Sequence, residues 1–181
     1  MFINNLSLAK LITQNSFNDF DKVNSAKELY EKSFPKYERR DWEEILQYEQ
    51  NNKIFNFFTI NIEQNFCGIV SVWHFYEFIY IEHFAIKNDY RNNGIGSKIL
   101  ELLKKQYNLP IVLEVEPPEN RIAKKRINFY TRNGFSTLND KYIQPPYSKD
   151  LPACEMKIMT TNADISFQKI KNVLYKEVYK Q

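Results

Sequence analysis

The chain has 181 residues, of which 43% are hydrophobic, 15% aromatic and 26% charged, with both signs of charge present. This balance is typical of a folded globular protein, and a chain of this length commonly forms one hydrophobic core. The formal net charge of +3 is too small to indicate nucleic-acid binding from charge alone, although it is compatible with a local anion site.

The first half of the chain predicts two helices and a meander of strands. Residues 6–12 are predicted to form a strand. Apolar residues then recur at helical spacing through residues 20–34 until Pro35, and a second short helix is predicted from Trp42. From Ile54 the pattern changes to segments rich in β-branched and aromatic residues, separated by short polar breaks. It predicts three consecutive antiparallel strands, at residues 54–60, 66–75 and 78–86.

The second half begins with a polar, glycine-containing turn and an amphipathic helix. Apolar residues repeat at helical spacing from Ile95, and this helix is predicted to end before Pro110. A basic helix is predicted to open at Pro117 and Pro118. The remaining predicted elements are strands at residues 111–115, 135–143 and 153–159 and a C-terminal helix at residues 164–179. Together they predict a single-domain α/β (α+β) fold, with a mixed, mostly antiparallel sheet of about six to seven strands flanked by helices.

No segment has the pattern of a targeting signal or a membrane span. Residues 1–11 lack the basic start and long apolar run of a signal peptide, and no stretch approaches the roughly 18 apolar residues of a membrane span. We therefore expect a cytoplasmic protein without a membrane partner. The two cysteines, Cys67 and Cys154, lack metal-ligand spacing and are expected to be buried thiols.

The turn before the amphipathic helix is the strongest candidate for a binding site. Two of the chain's four glycines, Gly94 and Gly96, lie there. Backbone N–H groups at a helix N-terminus can bind one anion together, and the helix dipole favours negative charge. A plain tight turn is the alternative, since Asn-Gly is a common turn pair. A P-loop is excluded because Ser97 follows Gly96 in place of lysine, and a dinucleotide fingerprint is excluded because position 99 is Ile99.

Three segments of the chain resemble the GNAT superfamily of N-acetyltransferases. Residues 90–100 resemble its acetyl-CoA signature, residues 82–86 the strand that pairs with pantetheine, and residues 128–135 a later helix end and turn. The segments occur in the family's order and at its usual separations, so the resemblance covers residues 6–159. The asparagine that the family often carries shortly before the tyrosine helix is not at its usual offset, since Asn120 is too early and Asn128 too late.

The resemblance implies a splayed sheet, with acyl-CoA inserted between the strand that ends at Ile86 and the strand that begins near Ile111. Backbone N–H groups of residues 92–96 would hold the pyrophosphate, and backbone groups of residues 84–86 would pair with pantetheine and polarise the thioester. The residues placed at the co-substrate in this way are Phe84, Ala85, Ile86, Arg91, Asn92, Asn93, Gly94, Ile95, Gly96 and Ser97. The basic residues Lys124, Lys125 and Arg126 either contact the remaining phosphate or form a solvated helix face.

Acyl transfer to an amine needs a base for the amine and an acid for the departing thiolate. The resemblance places Tyr130 where the family often has the phenol that protonates the sulfur, although a core tyrosine is the alternative. Glu82 is the candidate base, because it alternates with Phe84 and Ile86 on one strand face. It is alternatively a ligand for the substrate cation or a structural residue. His83 is expected to face the opposite side of the sheet as a structural histidine.

These residues predict an enzyme that transfers an acetyl group from acetyl-CoA to a primary amine of a small molecule or peptide, by direct attack in a ternary complex. The alternative is a non-catalytic acyl-CoA-binding sensor or interaction module. No metal and no nucleic-acid partner are expected, and the protein is either a monomer or a homodimer. Arg39 and Arg40 are candidate ligands for a substrate carboxylate. Residues 1–160 are predicted to form the acyltransferase domain, and residues 161–181 a C-terminal helix that belongs to this domain or contacts another subunit.

Overall fold

The computed structural model describes residues 5–11, 20–138 and 140–181. The chain divides into two compact units, Met1–Asn108 and Leu109–Gln181. Each unit combines helices with an antiparallel sheet. The predicted α/β fold with mostly antiparallel strands is therefore confirmed.

The sheet of the first unit is a four-stranded antiparallel meander. Its strands are paired in chain order: β1 (Leu6–Lys10), β2 (Phe55–Ile62), β3 (Asn65–His74) and β4 (Ile79–Ile86). The three consecutive strands predicted from Ile54 are confirmed. The first predicted strand ends at Lys10, and its last predicted residue, Ile12, lies outside the described residues.

Among the described residues, the first unit has three α-helices: α1 (Phe20–Ser33), α2 (Trp42–Asn51) and α3 (Ile95–Tyr107). In this unit α1 packs against β3 and β4, and α2 packs against β2. Tyr30 of α1 is fully buried, and its ring contacts the rings of Trp42 and Phe57 at centroid distances of 5.7 and 6.1 Å. These aromatic contacts tie the two helices to the sheet because large rings bury much apolar surface.

A β-bulge interrupts β4 at Glu82. Ser71 pairs with His83 and the next residue of β3, Val72, pairs with Ile81, so Glu82 is the extra residue on β4. A bulge breaks the alternation of side chains, and Glu82 and His83 consequently point to the same face. Glu82 reaches Trp73 and His83 reaches Ser71, two residues that share a face of β3. The expectation that His83 faces away from Glu82 is wrong for this reason.

The sheet of the second unit is built around its last strand. That strand, β8 (Cys154–Thr160), pairs antiparallel with β5 (Ile111–Val115), β6 (Ser136–Thr137) and β7 (Tyr142–Gln144). The predicted strand at residues 135–143 is thus two short strands, which brings the described strands to eight instead of the expected six to seven. Cys67 is buried as expected, but the prediction of a buried Cys154 is wrong, because it is half-buried at the start of β8.

Two helices complete the second unit: α4 (Arg121–Arg132) and α5 (Phe167–Val173), which continues into a π-helical turn at Leu174–Val178. The basic helix begins after the two prolines because the Asn120 side chain accepts hydrogen bonds from the N–H groups of Ile122 and Ala123 and so caps it. Ile170, Leu174 and Val178 are fully buried. The C-terminal segment therefore packs on its own chain.

Within the described residues, no helix combines the length and apolar character needed to cross a membrane. In the same part of the chain, His, Cys, Asp and Glu form no group of three or more that could hold a metal ion.

Candidate active site

The turn before α3 has the left-handed backbone that its glycine predicts. Gly94 is the N-cap of α3 with φ +77°, and Asn92 also has a positive φ, of 62°. A Cβ atom built on Gly94 meets no atom within 4 Å. Glycine is therefore favoured here by backbone conformation and not by crowding.

This turn leaves backbone donors available to an anion. No side chain caps α3 at Gly94, and the N–H groups of the first helical turn have no carbonyl partner within the helix. Arg91, Asn92, Asn93 and Gly94 are exposed, and Gly96 and Ser97 are half-exposed, whereas Ile95 is buried. The arrangement is suited to binding a phosphate group.

Arg91 joins the turn to the end of β4. Its Nε donates a hydrogen bond of 2.8 Å to the carbonyl oxygen of Ile86. One residue before Ile86 on β4, Ala85 pairs with Ile69 of β3, the residue after Gly68. A Cβ atom on Gly68 would come within 2.6 Å of the Ala85 carbonyl oxygen. The close approach of β3 and β4 at this point requires glycine at position 68.

Glu82 lies in a buried ion pair that the sequence did not reveal. The Arg40 Nε donates to its Oε1 at 3.0 Å, and the Trp73 Nε1 donates to its Oε2 at 2.8 Å. The side chain of Glu82 is fully buried, and that of Arg40 is 3% exposed. Arg40 is consequently enclosed within the first unit, which does not favour its predicted role as a ligand for a substrate carboxylate.

The hydrogen bonds of His83 select one neutral tautomer. Its Nε2 faces the carbonyl oxygen of Glu38 at 3.2 Å, so this nitrogen carries the proton and donates. Its Nδ1 then accepts from the Ser71 hydroxyl at 3.2 Å. Burial lowers the pKa of His83 to about 4, although the nearby Glu82 carboxylate opposes the shift. The 3.9 Å approach of Nδ1 to Glu82 is therefore not an ion pair at neutral pH. His83 has the properties expected of a structural histidine.

Tyr130 lies at the end of α4 in an apolar environment. Its ring contacts those of Phe129 and Phe135 at 5.1 and 5.5 Å. Burial raises its pKa to about 12, with Arg126 opposing the shift, so the phenol is protonated at neutral pH. Among the described residues its hydroxyl has no hydrogen-bond partner. The side chain thus combines core packing with an available proton.

The basic residues of α4 have different surroundings. Arg126 forms an ion pair with Glu116, and Lys125 is exposed. Lys124 lines a cavity of about 340 Å³ in the second unit. The other lining residues are Pro118, Ile127, Asn128, Thr137 and Lys157.

A half-buried carboxylate lies in the second unit. Glu114 on β5 accepts hydrogen bonds from the hydroxyls of Tyr142 and Tyr179, the latter at 2.6 Å. Burial and the Glu114 carboxylate raise the pKa of Tyr142 well above its ordinary value. No sequence pattern indicates this cluster, because Glu114 and Tyr179 are 65 residues apart.

Comparison with known proteins gives matches to a sequence profile, to solved structures and to a curated protein sequence. A profile described as the acetyltransferase (GNAT) family matches residues 23–135. A Bacteroides thetaiotaomicron protein named "Putative acetyltransferase from GNAT family" has a TM-score of 0.87 at 34% identity, over 97% of this chain and 99% of that chain. A GNAT family acetyltransferase from Elizabethkingia anophelis, solved with acetyl-CoA bound, has a TM-score of 0.56 at 16% identity, over 88% of this chain and 99% of that chain. At that identity the likeness shows the fold alone.

A curated relative matches over a shorter stretch. The Bacillus subtilis (strain 168) protein "Putative acetyltransferase YjbC" is 40% identical over 63 residues, which are 34% of this chain and 32% of that protein. The match therefore spans about a third of the relative's length.

Proposed function

Because the chain belongs to the GNAT family of acetyltransferases, we propose that it transfers an acetyl group from acetyl-CoA to a primary amine of a small molecule or peptide. One observation carries the proposal for the co-substrate. The left-handed Gly94 at the uncapped N-terminus of α3 presents backbone donors suited to a pyrophosphate. The Elizabethkingia anophelis relative was solved with acetyl-CoA, which further supports this co-substrate.

In the proposed reaction, the amine nitrogen bonds to the acetyl carbon and the carbon–sulfur bond of the thioester breaks. The amine gives its proton to solvent water, and the departing thiolate gains one from an acid of the protein. We assign Tyr130 as the acid that donates to the sulfur, because its hydroxyl is protonated at neutral pH and has no hydrogen-bond partner among the described residues. Direct attack in a ternary complex remains part of the proposal.

The predicted base, Glu82, is not favoured by its surroundings. A base must reach the amine or a bridging water. Both oxygens of Glu82 already accept hydrogen bonds, and its side chain has no exposed surface. A catalytic role of Glu82 in proton transfer stays a prediction, which the variant Glu82→Gln tests.

The test combines binding with turnover. A thermal-shift titration with acetyl-CoA measures binding, and thiol release across a panel of polyamines, aminoglycosides, amino acids and peptides measures transfer. We expect stabilisation by acetyl-CoA and thiol release with at least one amine. Stabilisation without thiol release would favour the non-catalytic sensor, and the absence of a thermal shift would refute the proposed co-substrate.

A further inference from the structure

The buried ion pair joins Arg40 to Glu82 of β4, and both oxygens of the Glu82 carboxylate accept hydrogen bonds. Glu82 is fully buried and Arg40 is 3% exposed, at an Nε to Oε1 distance of 3.0 Å. Trp73 on β3 donates to the other carboxylate oxygen at 2.8 Å. A buried pair in this geometry keeps its partners in place because neither charge can leave without losing its compensation.

Arg40 is itself fixed by the two helices before β2. Its backbone N–H donates to the Tyr30 hydroxyl of α1 at 3.0 Å. Its Nη1 contacts Glu44 of α2 at 2.5 Å, and its guanidinium lies 4.8 Å from the ring centroid of Tyr48. The guanidinium is therefore a rigid anchor, which transmits the position of α1 and α2 to Glu82.

Glu82 is also the extra residue of the β4 bulge. The residue as a whole keeps intermediate exposure although its side chain has none, so the exposed atoms belong to its backbone. Phe84, Ala85 and Ile86, whose backbone groups are proposed to pair with pantetheine, follow within four residues. If the bulge moved by one residue, the backbone N–H and C=O groups and the side chains next to it would face the opposite side of the strand.

We propose that Arg40 and Glu82 are positioning residues for acetyl-CoA, and that their buried ion pair locks the β4 bulge and thereby sets the backbone groups that follow it. The inference rests on the proposed acetyl transfer. It gives Glu82 a role that requires a permanent charge and no proton exchange with the acceptor. It also gives Arg40 a role in co-substrate binding without direct contact.

The pair can be broken from either side. Arg40→Met leaves a buried carboxylate without its cation. Glu82→Gln is nearly isosteric, but it replaces one acceptor oxygen by an NH2 group that faces a donor, either from Arg40 or from Trp73. Since both changes remove one shared interaction, the double variant should be no worse than the more damaged single variant. Arg40→Lys keeps the charge but loses the planar fork, and should give an intermediate result.

The experiment measures acetyl-CoA affinity by calorimetry and amide hydrogen exchange of residues 82–86 by mass spectrometry. We expect each single variant to weaken acetyl-CoA binding by at least about tenfold and to speed exchange in this segment. Leu174→Ala is the control, because it leaves a cavity at a fully buried site of the second unit. It should reduce stability while leaving acetyl-CoA affinity and the exchange of residues 82–86 unchanged.

The outcomes separate a positioning residue from a base. Unchanged acetyl-CoA affinity and unchanged exchange in Glu82→Gln would overturn the proposal, because a base for the amine is not needed to bind the co-substrate. Multiplicative losses in the double variant would also overturn it. If the wild-type protein does not bind acetyl-CoA, the proposed function fails, and the exchange comparison in ligand-free protein still tests whether the ion pair locks the bulge. If Arg40→Met does not fold, Glu82→Gln and Arg40→Lys give the same comparison.

Discussion

Removing the hydroxyl of Tyr130 should affect turnover but not the stability of the fold. We expect Tyr130→Phe to reduce turnover on the order of 100-fold, because the departing thiolate would lose its proposed acid. Acetyl-CoA affinity and the free energy of unfolding should change little, since the hydroxyl has no hydrogen-bond partner among the described residues. Steady-state thiol release and calorimetry check the two halves of this prediction. Full activity would return Tyr130 to a core role.

His83 should make the protein less stable in acid. In the unfolded chain a histidine titrates near its ordinary pKa of 6.5, whereas the folded value is about 4. Between these values only the unfolded state takes up the proton, so the free energy of unfolding falls as the pH falls. The shift corresponds to about 3 kcal/mol in total, because one pKa unit is worth about 1.4 kcal/mol. Urea unfolding at pH 7 and pH 4 measures the loss.

His83→Gln is the matched variant for this pH effect. Glutamine can still donate to the Glu38 carbonyl but does not titrate. The variant retains the charged groups that act on His83, which are Glu82, Arg39 and Arg40. Stability of the variant should therefore fall less between pH 7 and pH 4 than that of the wild type. Equal losses in both proteins would assign the acid sensitivity to other groups.

Two substitutions of Gly94, in the turn before α3, separate the effect of backbone strain from the effect of an added negative charge. Gly94→Ala should cost about 1–2 kcal/mol of stability, because φ is +77° there. Gly94→Glu carries a similar strain and adds a carboxylate beside the proposed pyrophosphate. We expect it to weaken acetyl-CoA binding at least roughly 100-fold more than Gly94→Ala does, and this gap should narrow at high salt. Equal affinities in the two variants would place the pyrophosphate elsewhere.

The C-terminal segment contributes a hydrogen bond to the half-buried carboxylate of Glu114. Tyr179→Phe removes the donor at 2.6 Å from Glu114, and we expect a loss of about 1.5–3 kcal/mol. Tyr76→Phe is the control, because this tyrosine is 97% exposed and its change should have almost no effect. Urea unfolding of the two variants measures both. A negligible loss in Tyr179→Phe would show that Glu114 is satisfied without this residue.

At the scale of elements, the accuracy of the sequence predictions follows their local signals. The sequence predicts helix α3 because a regular apolar repeat lies between Gly94 and Pro110. It predicts β5 because a short apolar run follows Pro110. The bulge at Glu82 had no such signal, since residues 78–86 show a continuous strand pattern. The bulge depends on tertiary contacts, because Glu82 and His83 both form hydrogen bonds with side chains of β3.

For the molecule as a whole, acetyl-CoA should stabilise the folded state by mass action. At a ligand concentration about 100 times the Kd, the gain is about 2.7 kcal/mol. For a chain of 181 residues this corresponds to a rise in Tm on the order of 5–10 °C. Thermal scans over a series of acetyl-CoA concentrations measure the rise. A Tm that does not depend on concentration would contradict specific binding.

The fold and the turn were predictable from the sequence, but the charge network was not. Family motifs are local segments, and each was visible in residues 82–135. The partner of Glu82 is Arg40, which lies 42 residues away, and no periodicity links the two. For the same reason, the sequence left open whether Glu82 is a base or a structural residue. Its burial and the hydrogen bonds from Arg40 and Trp73 favour the proposed positioning role.

The turn before α3 also sets a chemical lifetime for the protein. Asn93 is exposed and precedes Gly94, and an asparagine followed by glycine loses its side-chain amide readily, because no Cβ hinders attack by the next backbone nitrogen. The other pair of this kind is Asn133 and Gly134, where the Asn133 amide donates to the Phe129 carbonyl at 2.7 Å and is restrained. Ageing should therefore deamidate Asn93 first. The new carboxylate would lie at the proposed phosphate site, so stored protein would lose co-substrate affinity before it loses its fold.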